Sequence, residues 1–109
     1  MNLSNLAGMF NQVPAIKQIF EDFEKDLATV EVTGEAVGGQ VTVTLNGRHD
    51  AVAVHIDPAL MSPEHRYMVQ DFISAAINDC ERKLEGVLEA KQAEFTRNNL
   101  GQFMKLMGR

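Results

Sequence analysis

The chain has no tryptophan, one tyrosine, six phenylalanines and a single cysteine among its 109 residues. One thiol can close no internal disulfide and build no multi-thiolate metal site, so packing alone must hold the fold; this cysteine usage suits a reducing cytoplasm. So few aromatics leave an aliphatic core and few platforms on which bases could stack. Long apolar runs are missing as well. The longest, Ala51–Val54, is far too short to span a bilayer. Met1-Asn2-Leu3-Ser4-Asn5 has no charged leader followed by an apolar run, so no signal peptide is expected. No phosphate loop, Gly-rich dinucleotide fingerprint or Ser/His/Asp arrangement occurs, and neither an enzyme nor a small-molecule substrate or cofactor is expected. Basic charge is in short supply too. The formal net charge is −5, which argues mildly against a polyanion partner unless the cations are clustered.

What is present is a globular composition, 45% hydrophobic and 23% charged, at the length of one domain. Its dominant stretch runs from Ser62 to about Phe95, over 62–96. Ser62-Pro63-Glu64 is a helix start: a capping hydroxyl, proline at the first position, then an acid facing the positive end of the dipole. Val69, Phe72, Ile73, Ala76, Ile77, Cys80, Leu84, Val87, Leu88 and Phe95 follow at steps of three and four, a broad apolar stripe on one helix. At 1.5 Å per residue that helix is roughly 50 Å long, whereas a short strand is only about 20 Å. The helix outruns any small sheet it could cover. The uncovered stripe predicts an obligate dimer, with Phe20, Phe23, Leu84, Val87 and Leu88 as the candidate seam.

An N-terminal helix over 1–27 precedes it. Leu6, Met9, Val13, Ile16, Phe20, Phe23 and Leu27 step alternately by three and four, a heptad seam suited to packing along another helix. Pro14 predicts either a kink or a helix that properly starts there. Glu21, Asp22, Glu24 and Asp26 crowd the C-terminal end, where acids oppose the dipole. A β-meander is expected over 29–57. Thr29–Thr33 and Gln40–Leu45 alternate β-branched with polar residues, Gly34–Gly39 reads as a loose connection, and Asn46-Gly47 is the preferred pair for a type I′ turn. Val52, Val54 and Ile56 then alternate with Ala51, Ala53 and His55, up to Asp57-Pro58. The fold class is α+β, in the order α-β-β-β-α, with a three-stranded antiparallel meander and a long projecting C-terminal helix.

The segment 97–109 carries Arg97, Lys105 and Arg109 with no acid, interleaved with Leu100, Phe103, Met104, Leu106 and Met107, and Gly101 and Gly108 as breakers. It is a frayed end, a short amphipathic helix or a contact arm. His49 and His55 share the outer face if the third strand begins at His49; His65 lies on the next helix, and no fourth ligand is placed for a metal. Asn78-Asp79 suits a polar helix face or a hydrogen bond to the sheet edge, and Cys80 is a small core residue. Arg82, Lys83, Lys91 and Arg97 share the free half of the long helix with Glu81, Glu85, Glu89 and Glu94. Two readings stay open: a solvated face with intrahelical ion pairs, or an arm that contacts phosphates.

Val30-Glu31-Val32-Thr33-Gly34-Glu35-Ala36-Val37-Gly38-Gly39, Val41-Thr42-Val43, Asn46-Gly47, Val54-His55-Ile56-Asp57-Pro58-Ala59-Leu60 and Ala75-Ala76-Ile77-Asn78-Asp79-Cys80-Glu81-Arg82-Lys83 together resemble the YbaB/EbfC family of bacterial nucleoid-associated proteins. The resemblance is close from Val30 to Leu88 and loose in the first helix. It implies one domain over 1–109, a homodimer with tweezer-like arms, and binding to double-stranded DNA with little sequence preference in the cytoplasmic nucleoid. The candidate DNA contacts are then Arg82, Lys83, Lys91, Arg97, Lys105 and Arg109. Typical members carry several lysines through the first helix. Here only Lys17 and Lys25 stand against four acids. The alternative is therefore a dimeric protein-interaction or scaffold member of the same fold that binds DNA weakly or not at all.

Overall fold

The structure, a computed structural model, describes residues 14–106 and 108. Helix α1 spans Pro14–Thr29, followed by β1 (Glu31–Ala36), β2 (Val41–Asn46), β3 (Ala51–Ile56) and the long helix α2 (Arg66–Leu106). The sheet is an antiparallel meander in the order β1-β2-β3. The expected α+β architecture is therefore what the chain adopts. Leu6, Met9, Val13 and Arg109 lie outside the described residues.

Helix α1 starts at Pro14, whose fixed φ and missing N–H are harmless in a first turn. At its other end the helix takes Thr29, which sequence alternation placed in the first strand. The Thr29 hydroxyl donates to the Asp26 carbonyl (2.7 Å), and the Val30 N–H donates to the Leu27 carbonyl (3.1 Å), so the last turn closes locally. The strand begins two residues later and runs through Gly34 to Ala36, and a tight turn at Val37–Gly39 replaces the loose connection. Gly34 belongs in β1 because the strand crosses α2 there. A Cβ on Gly34 would collide with the backbone of Ala76 and Cys80. Both helix residues are small and fully buried, and the Cys80 thiol donates to the Val32 carbonyl (3.1 Å).

The β2–β3 connection is not a two-residue type I′ turn. The Asn46 side chain organises it: Oδ1 accepts from the N–H groups of Arg48 (2.8 Å) and Asp50 (3.1 Å), and the left-handed residue is His49, at φ 67°. Gly47 is required for closeness, since its N–H donates to the Leu27 carbonyl (3.0 Å) and a Cβ would strike that same carbonyl.

One face of the meander is apolar. Val41, Val43 and Leu45 of β2 are buried under α2 with Ala76, Cys80 and Leu84. Pairing places Val54 beside Val43 and Ile56 beside Val41, on that same face. Yet Val43 is 1% exposed, while Val52 and Val54 of β3 are 50% and 53% exposed. α2 packs on β1 and β2 and leaves β3 open.

The start of the long helix differs from the expected cap. Pro63–His65 forms a 3-10 turn, and the Ser62 hydroxyl pairs with His65 Nδ1 (3.0 Å) instead of capping an N–H. At the far end the helix runs straight through Gly101, ten residues beyond the expected limit at 96, to Leu106. Segment 97–106 is thus the end of α2. With 41 residues, α2 is about 61 Å long, and it accounts for the longest dimension of the molecule, 64 Å. A glycine inside an exposed helix costs about 1 kcal/mol. That is small beside the aromatic packing of Phe103, which follows Gly101 and lies against Phe20 and Phe95.

Candidate nucleic-acid interface

Beyond the sheet, α1 packs on α2 at Phe95 and Phe103, while Leu100 and Met104 stay 50% and 43% exposed. Phe23 packs on Phe95 with ring centroids 4.3 Å apart, and Phe20 meets Phe95 edge-on at 5.2 Å. Leu84 is fully buried in the protomer's own core, with Leu88 packed against it, and Val87 is half-buried. The residues expected as a dimer seam thus lie, in this chain, between its own helices and sheet. The heptad spacing of the first helix meets α2 within the chain through Phe20 and Phe23.

Charge on α2 is sorted by side. With about 100° of rotation per residue, Lys83, Lys91, Arg97 and Lys105 fall within roughly a third of the circumference. Glu81, Glu85 and Glu89 fall on the opposite flank, and Glu94 interrupts the basic one. Among the described residues none of these four glutamates forms an ion pair with a cation of the arm; the intrahelical ion pairs of α2 are made by Asp79, with Lys83 and Arg82. Glu81 instead accepts from His49 Nδ1 at 3.0 Å, which brings His49 to the helix side and away from the outer face it would share with His55. Glu81, Glu85 and Glu89, with Arg82 as the one lysine or arginine of the lining, border an open hollow of about 590 Å³ together with His49, Asn78, Leu88 and Gln92. Its acidic lining has the wrong sign for phosphate, and among the described residues no cluster of His, Cys, Asp or Glu is arranged to hold a metal.

The candidate cations differ in what they already touch. Asp79 accepts the Glu35 N–H of the sheet edge (2.9 Å), as expected for a polar residue facing that edge, and also pairs with Lys83 Nζ (3.0 Å) and Arg82 (3.6 Å). The backbone N–H of Glu35, and then Lys83, hold the Asp79 carboxyl below the usual range; the bond to Asp79 raises Lys83 in turn. Lys83 also donates to the Thr33 carbonyl at 3.4 Å. Lys91 reaches across to Asp26 of α1 (3.0 Å), a contact that raises its pKa. Arg97 and Lys105 are exposed and make no ion pair among the described residues. Off the arm, Lys25 and Arg48 border a shallow hollow with Glu21 and Glu24. The charge of each arm cation was legible in the sequence. The partner of Lys91 was not, because Asp26 lies far from it in the chain.

These features define a small α+β protein with a rod that has one basic flank, carried on a three-stranded meander. No helix among the described residues is long and apolar enough to cross a membrane. The family model for the YbaB/EbfC DNA-binding family matches residues 1–100, and the chain belongs to that family. The family is defined by DNA binding and not by an enzymatic activity. A nucleoid-associated protein of Granulibacter bethesdensis is 39% identical over 105 residues, covering 95% of this chain and 98% of that protein. A nucleoid-associated protein of Legionella pneumophila is 37% identical over 92 residues, covering 84% and 81%. The crystal structure of the uncharacterized protein HP0035 from Helicobacter pylori matches with a TM-score of 0.60 and 27% identity, over 95% of this chain and 97% of that one.

Proposed function

We propose that this protein is a nucleoid-associated protein of the bacterial cytoplasm that acts as a homodimer and grips duplex DNA by its phosphates, with little sequence preference. The observation that carries this reading is the basic flank of α2, where Arg97 and Lys105 stand exposed and unpaired among the described residues on a projecting rod. Point charges spaced along a straight helix match the phosphate backbone, and phosphate contacts position a protein without reading bases. Arg82 and Lys83 are secondary contacts, since Asp79 already engages both. Arg109 completes the expected set from the sequence.

Support for the homodimer comes from β3. Val54, paired with buried Val43, and Val52 at the bulge of the same strand are half exposed, and a second copy covering them removes two large apolar side chains per protomer from water, worth about 1.5–3 kcal/mol each. The dimer surface is therefore assigned to β3 and not to Leu84 and its neighbours. Binding of two unrelated duplexes, followed by fluorescence anisotropy at two salt concentrations, tests the reading. Equal affinities that fall together with salt support it. No binding at low salt overturns it and leaves the scaffold alternative, which the acidic end of α1 favours.

A further inference from the structure

We infer that Asp26 sets the strength of the arm's grip on DNA by occupying Lys91, so that α1 carries a built-in competitor for phosphate. This inference rests on the DNA-binding reading above. Three arm cations have carboxylate partners, and the partners are not equivalent. Asp79 is tied to the backbone N–H of Glu35 and to two cations at once, and Lys83 holds the Thr33 carbonyl as well, so that cluster fastens α2 to the sheet edge. Among the described residues Asp26 has one side-chain partner for its carboxylate, Lys91. Its carboxylate is half exposed and Lys91 a third exposed, so solvent and phosphate can both reach the pair.

The pair is preorganised all the same. Asp26 follows Phe23 by one turn of α1, and Lys91 precedes Phe95 by one turn of α2. The Phe23–Phe95 stack at 4.3 Å thus holds the two charges in register without help from either. An isolated surface ion pair loses much of its Coulomb gain to side-chain ordering; here the helices are ordered already. Asp26 also sits in the last turn of its helix, where a carboxylate opposes the dipole, so the position is not explained by stability of α1. Lys91 lies on the same flank as Arg97 and Lys105, about 9 Å and 21 Å along the rod from them. Released from Asp26, it extends the unpaired basic flank toward the base of the arm.

The experiment compares the full-length protein with Asp26→Asn, Asp22→Asn, Lys91→Gln and the double variant Asp26→Asn/Lys91→Gln, using a labelled duplex and anisotropy across a salt series. Asp22 is the charge-matched control: it is one turn away and accepts only from Gln18 (2.8 Å). Asp26→Asn is expected to tighten binding about three- to tenfold at about 50 mM salt and to steepen the log–log salt slope by about 0.9 per arm. Asp22→Asn should change affinity by less than about twofold, and the double variant should lose the gain, binding no more tightly than Lys91→Gln. Equal effects of Asp26→Asn and Asp22→Asn, or a gain that survives without Lys91, overturn the role of Asp26 alone. Failure of every variant and of the wild type to bind at low salt overturns the DNA reading and this inference together.

Discussion

Arg97 and Lys105 should supply most of the salt-sensitive binding, and the size of their effect follows from the structure. Among the described residues each arm offers these two cations without an ion pair, and two arms in the proposed dimer give about four phosphate contacts. With about 0.9 in slope per contact, log K should fall with log[salt] at roughly −3.6. Between about 50 and 200 mM salt that is a loss of about 150-fold in affinity. Replacing Arg97 by Gln halves the contacts, so the slope should fall to about −1.8 and the loss over the same range to about 12-fold. The Arg97→Gln/Lys105→Gln double variant should bind weakly at every salt concentration. Lys91→Gln should leave the slope where it was, because Lys91 is already engaged by Asp26. Anisotropy titrations at four salt concentrations, with circular dichroism to confirm folding, provide the measurement. A slope unchanged in the double variant refutes the assignment and moves the contact to Lys25 or Arg48, and an effect of Lys91→Gln equal to that of Arg97→Gln refutes the ranking by ion pairing.

Val54→Asp should convert the proposed dimer to a folded monomer near 12.1 kDa by light scattering, whereas a variant that stays dimeric removes β3 from the proposed interface. Gly34→Ala should destabilise the fold by about 3 kcal/mol, read as a fall in melting temperature of more than 10 °C, since the added methyl meets backbone that cannot rotate away; a shift of a degree or two would disprove the close crossing. Asp79 gives a pH dependence. Its pKa is depressed in the fold, from 3.8, so its stabilisation is complete above about pH 4 and is lost as pH falls through the lowered value. In urea titrations the wild type should therefore exceed Asp79→Asn at neutral pH, and the gap should close in acid; a gap independent of pH would contradict the ion-pair staple.

The element order, the apolar face of the meander and the long helix were legible in the sequence because each is a local periodicity. Steps of three and four made α2, period two made β2 and β3, and Pro14 marked the start of α1. Local chemistry misled where a distant contact overruled it. Asn46-Gly47 has the composition of a type I′ turn, yet Gly47 is there to pass the Leu27 carbonyl. Gly34 resembles a loop residue and is the crossing point of strand and helix. The stripe beyond the sheet predicted a partner chain; a sequence does not show that Phe20 and Phe23 of α1 also fold back onto Phe95 of that stripe. The same holds for the candidate site. Six cations could be counted along the chain, and helical geometry alone put most of them on one flank. Asp79 lies one turn before Lys83 and Arg82, so helical spacing already sets that cluster; the pairing of Asp26 with Lys91 was decided only by the tertiary structure, which brings α1 against α2.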